Sequence, residues 1–260
     1  MHQGLVTALL WLGFGGTHVG LTVAPIRKRL VRALGEGGYV LLYSVVAIGT
    51  FSALVHYVAL HRFEAPHGSL IASLPPVRGA LLALSVFGFT LFIAAVLGYP
   101  RAPMAVFRHR ALPVRGIQQI TRHPFFSGIA LWAAAHALLA LSSVTFVFFF
   151  GVIVLSFVGG MHQDRRLIAE LGEPYRSYVA ATSFWPLVAV ATKRQKIQWL
   201  EQPWIGYALG IVVSLGLYQV HDHIFDHGGA YVIGVTSLGS IMAILGSRAR
   251  RGSTRAEHDV

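Results

Sequence analysis

The sequence has 260 residues, of which 55% are hydrophobic and 12% are charged, and its mean hydropathy of +0.62 excludes a large soluble domain. It contains no cysteine, which excludes disulfides, thiolate zinc sites, iron–sulfur clusters and covalently attached c-type haem. The formal net charge of +11 does not indicate a nucleic-acid partner, because the basic residues lie in short loops between apolar segments.

Apolar runs long enough to cross a bilayer recur along the whole chain. A helix of roughly 18 to 20 residues spans the ~30 Å hydrocarbon layer. The sequence therefore predicts an all-α, polytopic transmembrane helical bundle of about seven helices. The predicted spans are 4–23, 38–60, 79–99, 125–141, 144–161, 204–220 and 230–246.

The first span and the hairpin of the fourth and fifth spans have distinctive boundaries. The first, 4–23, has no basic region before it and no small-residue cleavage site, so it is predicted as a retained helix and not as a cleaved signal peptide. Ser142 and Ser143 separate the fourth and fifth spans, which predicts a tight helical hairpin. The fourth span is short and rich in alanine, so six spans with a re-entrant hairpin are the alternative.

Lys and Arg are distributed very unequally between the two sides of this bundle. Of the 21 such residues, all but Arg62 and Arg78 fall on one side. Cytoplasmic loops are enriched in Lys and Arg. We therefore expect the N-terminus outside, the C-terminus in the cytoplasm, and the chain in the lipid of a bacterial inner (cytoplasmic) membrane.

The long inner loops, 100–124 and 162–203, are predicted to carry interfacial helices. The stretch 165–171, followed by Gly172, predicts a short helix that ends at a glycine. The membrane domain is predicted to occupy 1–247. The polar segment 248–260 is predicted to be a disordered cytoplasmic tail.

Three histidines fall inside predicted spans, at His18, His56 and His136. A histidine within the membrane is costly unless it is paired or liganded, so each is a functional candidate. The alternative for each is a neutral imidazole that bonds a carbonyl of a neighbouring helix.

Small residues surround two of these histidines. Gly16 and Gly20 lie beside His18, and five alanines between 133 and 140 surround His136. Small residues allow close approach of another helix or of a flat macrocycle. Ordinary helix packing and haem binding are therefore both open interpretations.

In the haem interpretation, His18 and His136 are the axial ligands of a b-type haem, and Arg27 or Arg122 pairs with its propionates. At 1.5 Å per residue, His18 lies ~21 Å from the outer start of its helix and His136 ~20 Å from the inner end of its own. The depths of the two histidines along the membrane normal differ by roughly 10 Å. For both to bind one haem, helix tilt or different helix ends must remove this difference in depth.

A second candidate site faces the cytoplasm. It combines cationic, acidic and aromatic groups near Pro124 and after the fifth span, which either hold a polar ligand or cap the hairpin. Its residues are Arg122, His123, Asp164, Arg165, Arg166, Glu173 and Tyr175.

The predicted outer loop at 221–227 contains three histidines and two aspartates, a set able to bind zinc or copper if the loop folds back on itself. The spacing matches no closed metal site, which favours a solvated loop.

Several motifs, in their order and spacing from about residue 11 to 222, resemble those of the NnrU family, which includes a zeta-carotene isomerase branch. They are Thr17-His18, Leu34-Gly35-Glu36, Tyr39, Leu42-Tyr43-Ser44, His61-Arg62, Ile120-Thr121-Arg122-His123-Pro124, Trp132 to His136, Gln163-Asp164-Arg165-Arg166-Leu167, Gly172-Glu173 and Thr182-Ser183-Phe184-Trp185-Pro186.

The isomerase branch implies haem b with ligands at His18 and His136, and redox-dependent cis–trans isomerisation of a hydrophobic linear polyene without net oxidation. Ala133 stands where the plant enzyme has a cysteine implicated in a ligand switch, so a thiolate ligand cannot form here. The bacterial NnrU branch implies instead a role in denitrification and nitric oxide metabolism, without established chemistry.

A looser similarity leads to membrane methyltransferases that use S-adenosylmethionine. It rests on Arg122-His123-Pro124 and Gly172-Glu173-Pro174-Tyr175. Those enzymes usually carry paired glutamates where this chain has Gln163-Asp164, and the departure weakens the methyltransferase interpretation.

Overall fold

The computed structural model describes residues 2–64, 74–98 and 114–256, with side chains through residue 242. Every regular element in those residues is a helix, which confirms the predicted all-α class. In chain order the α-helices are α1 His2–Gly20, α2 Ala24–His61, α3 Pro75–Gly98, α4 Pro124–Leu139, α5 Ser143–Leu171, α6 Glu173–Ala181, α7 Val188–Ala191, α8 Trp204–Gln219 and α9 Asp226–Ala256.

Three of the described helices, α2, α3 and α5, are long and apolar enough to cross a membrane. Helices α4 and α8 are apolar but have 16 residues each. Such a helix is ~24 Å long, which is shorter than the ~30 Å hydrocarbon layer. The count of seven spans and the orientation of the termini stay predictions. Three of the arginines counted on the cytoplasmic side, Arg101, Arg108 and Arg110, lie outside the described residues.

The predicted break between the fourth and fifth spans is confirmed. Ser142 precedes α5 with extended backbone, and its hydroxyl accepts a hydrogen bond from the amide of Thr145 at 3.1 Å. This bond satisfies one of the amides that a helix start leaves without an intrahelical partner.

The predicted glycine stop is also confirmed, because Gly172 follows α5 at φ 64°. The stretch 165–171 is not a separate short helix as predicted. It is the end of α5, which runs without interruption from Ser143. Residues 161–171 contain no glycine or proline that would end the helix before Gly172.

Like α5, helices α2 and α9 extend well beyond their predicted spans. Helix α2 begins at Ala24 and contains a break at Gly35, where φ is 71°, so its predicted span corresponds to the part after this break. Helix α9 continues to Ala256, beyond the predicted end at 246. Residues 257–260 of the predicted tail lie outside the described residues, and the disorder of the tail stays a prediction.

The chain divides into two compact units. The first contains Met1–Ala8 and Phe63–Val220, and the second contains Leu9–Arg62 and His221–Val260.

The first unit is organised by close contacts of small residues between α3, α4 and α8. A side-chain carbon added at Gly128 of α4 would lie 2.7 Å from the carbonyl oxygen of Gly88 and 2.7 Å from the amide nitrogen of Phe92 on α3. On α8, Gly210 lies similarly close to Thr90. Small residues let apolar helices approach closely where water supplies little driving force, so these contacts set the spacing of the three helices.

In the second unit, α2 packs against the start of α9. A ring nitrogen of His56 donates to the carbonyl of Gly228 at 3.2 Å, and Arg62 lies 3.7 Å from Asp226. The chain can approach there because residues 227–229 have left-handed backbone, and a side chain at Gly229 would collide with Val55. His56 therefore follows the carbonyl-bonding alternative of the sequence analysis.

We expect Gly128→Ala to lower the free energy of unfolding by about 1 to 3 kcal/mol, because the added methyl group has no room between α4 and α3. Thermal unfolding of the purified full chain in detergent measures this effect. Gly79→Ala in α3 is the matched control, because no atom of the described residues lies within 4 Å of its added carbon. Equal melting temperatures of the two variants would contradict the proposed helix contact.

Candidate functional site

The segment before α4 is held by backbone hydrogen bonds to a distant part of the chain. The amide of Arg122 donates to the carbonyl of Ser183 at 2.9 Å, and the amide of Leu187 donates to the carbonyl of Ile120 at 2.8 Å. These bonds fix the two segments side by side, so the side chains that leave the first segment have defined positions.

Thr121 strengthens this connection from a fully buried position. Its hydroxyl donates to the carbonyl of Phe184 at 2.7 Å and lies 3.1 Å from the hydroxyl of Ser127. The same oxygen accepts a hydrogen bond from the amide of His123 at 3.3 Å. The loop therefore enters α4 with its buried polar groups bonded.

The carboxylate of Asp164, near the end of α5, is the centre of the polar cluster. One oxygen accepts from Arg122, whose Nε and Nη2 lie at 3.0 Å and 2.9 Å. The other oxygen accepts from Nε2 of His123 at 2.8 Å and from the hydroxyl of Tyr175 at 2.8 Å. We call these four residues the Asp164 cluster.

The side chains of the Asp164 cluster are largely shielded from solvent. The side chains of His123, Asp164 and Arg122 are 4%, 13% and 15% exposed. Burial and the neighbouring carboxylate both raise the pKa of Tyr175 well above its usual range, so its phenol stays protonated and donates. Since a carboxylate only accepts hydrogen bonds, Nε2 of His123 must carry the hydrogen of the contact with Asp164.

The structure does not bring the other members of the predicted cytoplasmic site into this cluster. Arg165 is exposed, Arg166 pairs with Glu170 at 2.7 Å one helical turn away, and Glu173 lies 3.9 Å from Arg176 on the surface. Exposed pairs of this kind contribute little to stability.

His18 lies in the second unit, on α1. The hydroxyl of Tyr43 on α2 lies 3.1 Å from its Nδ1 and 3.2 Å from its Nε2, and the ring of Phe14 lies 5.2 Å away between centroids. Among the residues that the structure describes, no atom lies within 4 Å of a side-chain carbon added at Gly16 or Gly20. In that part of the chain, the small residues beside His18 therefore do not serve close helix packing.

His136 lies in the first unit, on α4, in a different environment. Its Nδ1 donates to the carbonyl of Trp132 at 2.9 Å, and the rings of Trp132 and Phe149 lie 4.5 Å and 4.7 Å away. Ala133 and Ala137 beside it are buried, so the small residues here serve ordinary helix packing.

The two imidazoles fit the donor chemistry of haem iron. Donation from Nδ1 of His136 to a carbonyl leaves the lone pair on Nε2 in the neutral ring, which is the arrangement typical of metal-binding histidines. His18 has instead the hydroxyl of Tyr43 near both of its ring nitrogens. Both predicted propionate partners already pair with carboxylates, Arg122 with Asp164 and Arg27 with Glu36 at 3.2 Å.

The predicted outer loop shows no metal site. Nδ1 of His223 lies 2.8 Å from a carboxylate oxygen of Asp226, but both side chains are exposed. Within residues 2–64, 74–98 and 114–256, no three His, Asp or Glu side chains are grouped to hold a metal ion.

The sequence analysis did not predict a polar network around two buried glutamines, Gln119 and Gln202. Gln119 donates to Glu201 at 3.0 Å, and its carbonyl accepts from the side chain of Gln202 at 3.0 Å and from the amide of Gln198 at 2.7 Å. The hydroxyl of Tyr207 donates to Gln202 at 2.9 Å. About 80 residues of sequence separate the partners, and glutamine is common in loops, so the sequence carries no signal for this pairing.

A model of the NnrU protein family matches residues 5–227, which include both histidines and the Asp164 cluster. The chain is similar to the proteins named 15-cis-zeta-carotene isomerase, chloroplastic, of Zea mays and Arabidopsis thaliana. It is 26% identical to the first over 229 residues, which cover 84% of this chain and 60% of that protein. It is 24% identical to the second over 216 residues, with coverage of 82% and 58%.

The chain thus spans about 60% of the length of these relatives. No solved structure matches the chain.

We expect Asp164→Asn to destabilise the full chain by about 3 to 5 kcal/mol, because it leaves the buried guanidinium of Arg122 without a counter-charge. Unfolding of the purified chain in detergent measures the difference. Glu170→Gln is the matched control, since it neutralises a carboxylate of α5 that forms an exposed ion pair. Such a pair contributes less than about 1 kcal/mol to the free energy of unfolding. If both variants unfold alike, the Asp164 cluster does not hold this part of the fold.

Proposed function

The chain belongs to the NnrU protein family, and on that basis we propose that it is an integral membrane enzyme that isomerises cis double bonds of a linear polyene to trans. The cofactor in this proposal is haem b, with His18 and His136 as its protein ligands. The observation that carries the reaction is the similarity, over more than four fifths of the chain, to two proteins named as zeta-carotene isomerases.

The surfaces of the helices suit a substrate that is itself a hydrocarbon. Helices α2, α3 and α5 are apolar and long enough to cross a membrane, and large apolar side chains such as Leu41, Val45 and Phe150 are exposed on α2 and α5. Exposing such surfaces to lipid costs little free energy, whereas exposing them to water is unfavourable. A linear polyene dissolves in the same lipid and reaches the protein laterally.

Isomerisation changes the geometry of a double bond and requires no net oxidation of the polyene. Haem, when bound, supplies an iron whose ferrous state interacts with a double bond. The chain's own contribution is to hold and orient the two imidazoles. For His136 this is achieved by donation from Nδ1 to the carbonyl of Trp132, and the rings of Trp132 and Phe149 pack against it.

We infer a scaffolding role for the Asp164 cluster. Both carboxylate oxygens accept hydrogen bonds from the protein, and the donors come from the segment before α4 and from α6. A polar ligand at this position would have to displace one of these bonds. The cluster therefore fastens α4, α5 and α6 together, which is the capping alternative of the sequence analysis.

Two other functions are kept as outcomes of the test. A member of the family that acts without catalysis in denitrification or nitric oxide metabolism would show no isomerase activity. A methyltransferase would bind S-adenosylmethionine, but the carboxylate of Asp164 that it would use is already fully bonded.

We expect the full chain, reconstituted in lipid vesicles under reducing conditions, to convert a 15-cis linear carotene to its trans isomer. His18→Ala and His136→Ala should each lower the rate at least 100-fold, because each removes a residue that would hold the cofactor. Chromatography of the extracted carotene measures the isomers. The matched control is His162→Ala, which changes an exposed histidine of α5 and should retain the wild-type rate.

If the wild-type chain leaves the isomer ratio unchanged, the isomerase proposal is wrong. Heat release on titration with S-adenosylmethionine would then support the methyltransferase, and the absence of both would support the non-catalytic function.

A further inference from the structure

The chain between α6 and the first turn of α8, which we call the 185–205 segment, exposes several large apolar side chains. They include Trp185, Leu187, Trp199, Leu200, Trp204 and Ile205. Trp199 is 64% exposed and Ile205 is 80% exposed. Exposed apolar side chains that form one patch are typical of an interaction surface.

The buried glutamines hold both ends of the 185–205 segment against one short stretch of chain. The amide of Leu187 donates to the carbonyl of Ile120 at 2.8 Å, and the amide of Gln198 donates to the side-chain carbonyl of Gln119 at 2.7 Å. Gln202 donates to the same oxygen of Gln119 at 3.0 Å. Since the two ends are tied to adjacent residues, their exposed apolar side chains belong to one patch.

Two tryptophans of the segment form a fixed pair. The rings of Trp199 and Trp204 stack at 6.0 Å between centroids with an angle of 13° between their planes. Nε1 of Trp204 donates to the carbonyl of Trp199 at 2.9 Å, and the ring of Tyr207 packs edge-on against Trp204 at 5.7 Å. The pair is therefore ordered before it meets a partner, which lowers the entropic cost of binding.

The backbone of the segment is strained at two exposed positions. Leu187 and Lys193 have left-handed backbone, with φ of 65° and 58°. This conformation is uncommon for residues other than glycine, and it persists where the surrounding structure imposes it, often at functional positions. The segment is thus held in a shape that local backbone preference disfavours.

The segment is also cationic. Lys193, Arg194 and Lys196 lie between its two apolar ends, and Glu201 is its one carboxylate. Glu201 accepts from the side chain of Gln119 at 3.0 Å. Lys193 and Lys196 are exposed, and neither is paired with a carboxylate of the described residues. The patch therefore suits an occupant that is apolar in one part and anionic in another.

The position of the patch at the start of α8 favours lipid as that occupant. Leu209 and Val212 of α8 are exposed, so the apolar surface continues from the segment along the helix. Helix α8 is ~24 Å long, shorter than the ~30 Å hydrocarbon layer, and Trp199 and Leu200 lengthen its apolar surface at one end. Tryptophan is enriched where the hydrocarbon layer meets the headgroups.

We propose that the 185–205 segment is a binding surface for anionic phospholipid. The Trp199–Trp204 pair lies at the boundary between acyl chains and headgroups, and Lys193 and Lys196 bind the phosphates. The buried glutamines hold the exposed side chains in place for this contact. The inference rests on the membrane location in the proposed function and does not depend on its cofactor or its reaction.

The test places the full chain in vesicles of phosphatidylcholine and phosphatidylglycerol in equal amounts, with bromine on the acyl chains of one lipid at a time. Bromine quenches the fluorescence of a tryptophan that it contacts. The emission lost in Trp199→Phe/Trp204→Phe isolates the signal of the pair. We expect quenching that corresponds to an enrichment of phosphatidylglycerol of about fivefold or more, because one lysine near an anionic leaflet contributes a preference of roughly that size.

Two charge variants separate this contact from general attraction to an anionic membrane. Lys193→Gln/Lys196→Gln should abolish the preference for phosphatidylglycerol and leave quenching by phosphatidylcholine. Lys28→Gln/Arg29→Gln removes the same charge from an exposed part of α2 and should retain the preference. If this control abolishes the preference as fully as the lysine variant, the specific surface is wrong.

Two further results would contradict the proposal. Equal quenching of the pair by the two brominated lipids would exclude a preference for anionic lipid. Emission that neither lipid quenches would mean that protein covers the patch.

Failure of this inference is distinguishable from failure of the proposed function. If alkaline carbonate removes the chain from the vesicles, the membrane location and this inference both fail. With the chain retained in the bilayer, equal quenching refutes the lipid surface alone, and an unchanged ratio of carotene isomers refutes the isomerase alone.

Discussion

A carboxylate in an apolar helical protein is stable only when its oxygens are bonded, and Asp164 meets this condition with donors from Arg122, His123 and Tyr175. The consequence extends beyond these four residues. His123 is the residue immediately before α4, so the same bond that satisfies the carboxylate fixes where α4 begins. His136 follows 13 residues later on that helix, ~20 Å along its axis. The position of a candidate ligand thus depends on a contact at the other end of its helix.

The same constraint explains the environment of the two candidate ligand histidines. Each has a hydrogen-bonding partner that an apolar surrounding requires, the carbonyl of Trp132 for His136 and the phenol of Tyr43 for His18. For His136 the contact engages Nδ1, which is the arrangement typical of metal-binding histidines, whereas the phenol of Tyr43 lies near both ring nitrogens of His18. The glycines of the two units differ in how closely other residues pack against them. In the first unit, glycines bring α3, α4 and α8 into contact, whereas none of the described residues packs within 4 Å of a side-chain carbon added at Gly16 or Gly20.

The features that depend on composition and on single residues were predictable from the sequence. The all-α class, the break at Ser142 and the glycine stop at Gly172 follow from hydropathy and from local backbone preferences. The sequence also indicated that Arg122, His123, Asp164 and Tyr175 belong to one site. It did not separate them from Arg165, Arg166 and Glu173, because the face of α5 and α6 on which each side chain lies decides which of them reach the carboxylate. Tyr43 was part of a motif, but its contact with His18 depends on the packing of two helices and has no local signal.

The absorption spectrum of the wild-type chain, purified in detergent after expression with haem available, tests the central claim most directly. The account predicts a Soret band that is lost in His18→Ala and in His136→Ala and retained in His162→Ala. A colourless wild-type protein, or a Soret band that survives both substitutions, would contradict the assignment of these two histidines as haem ligands.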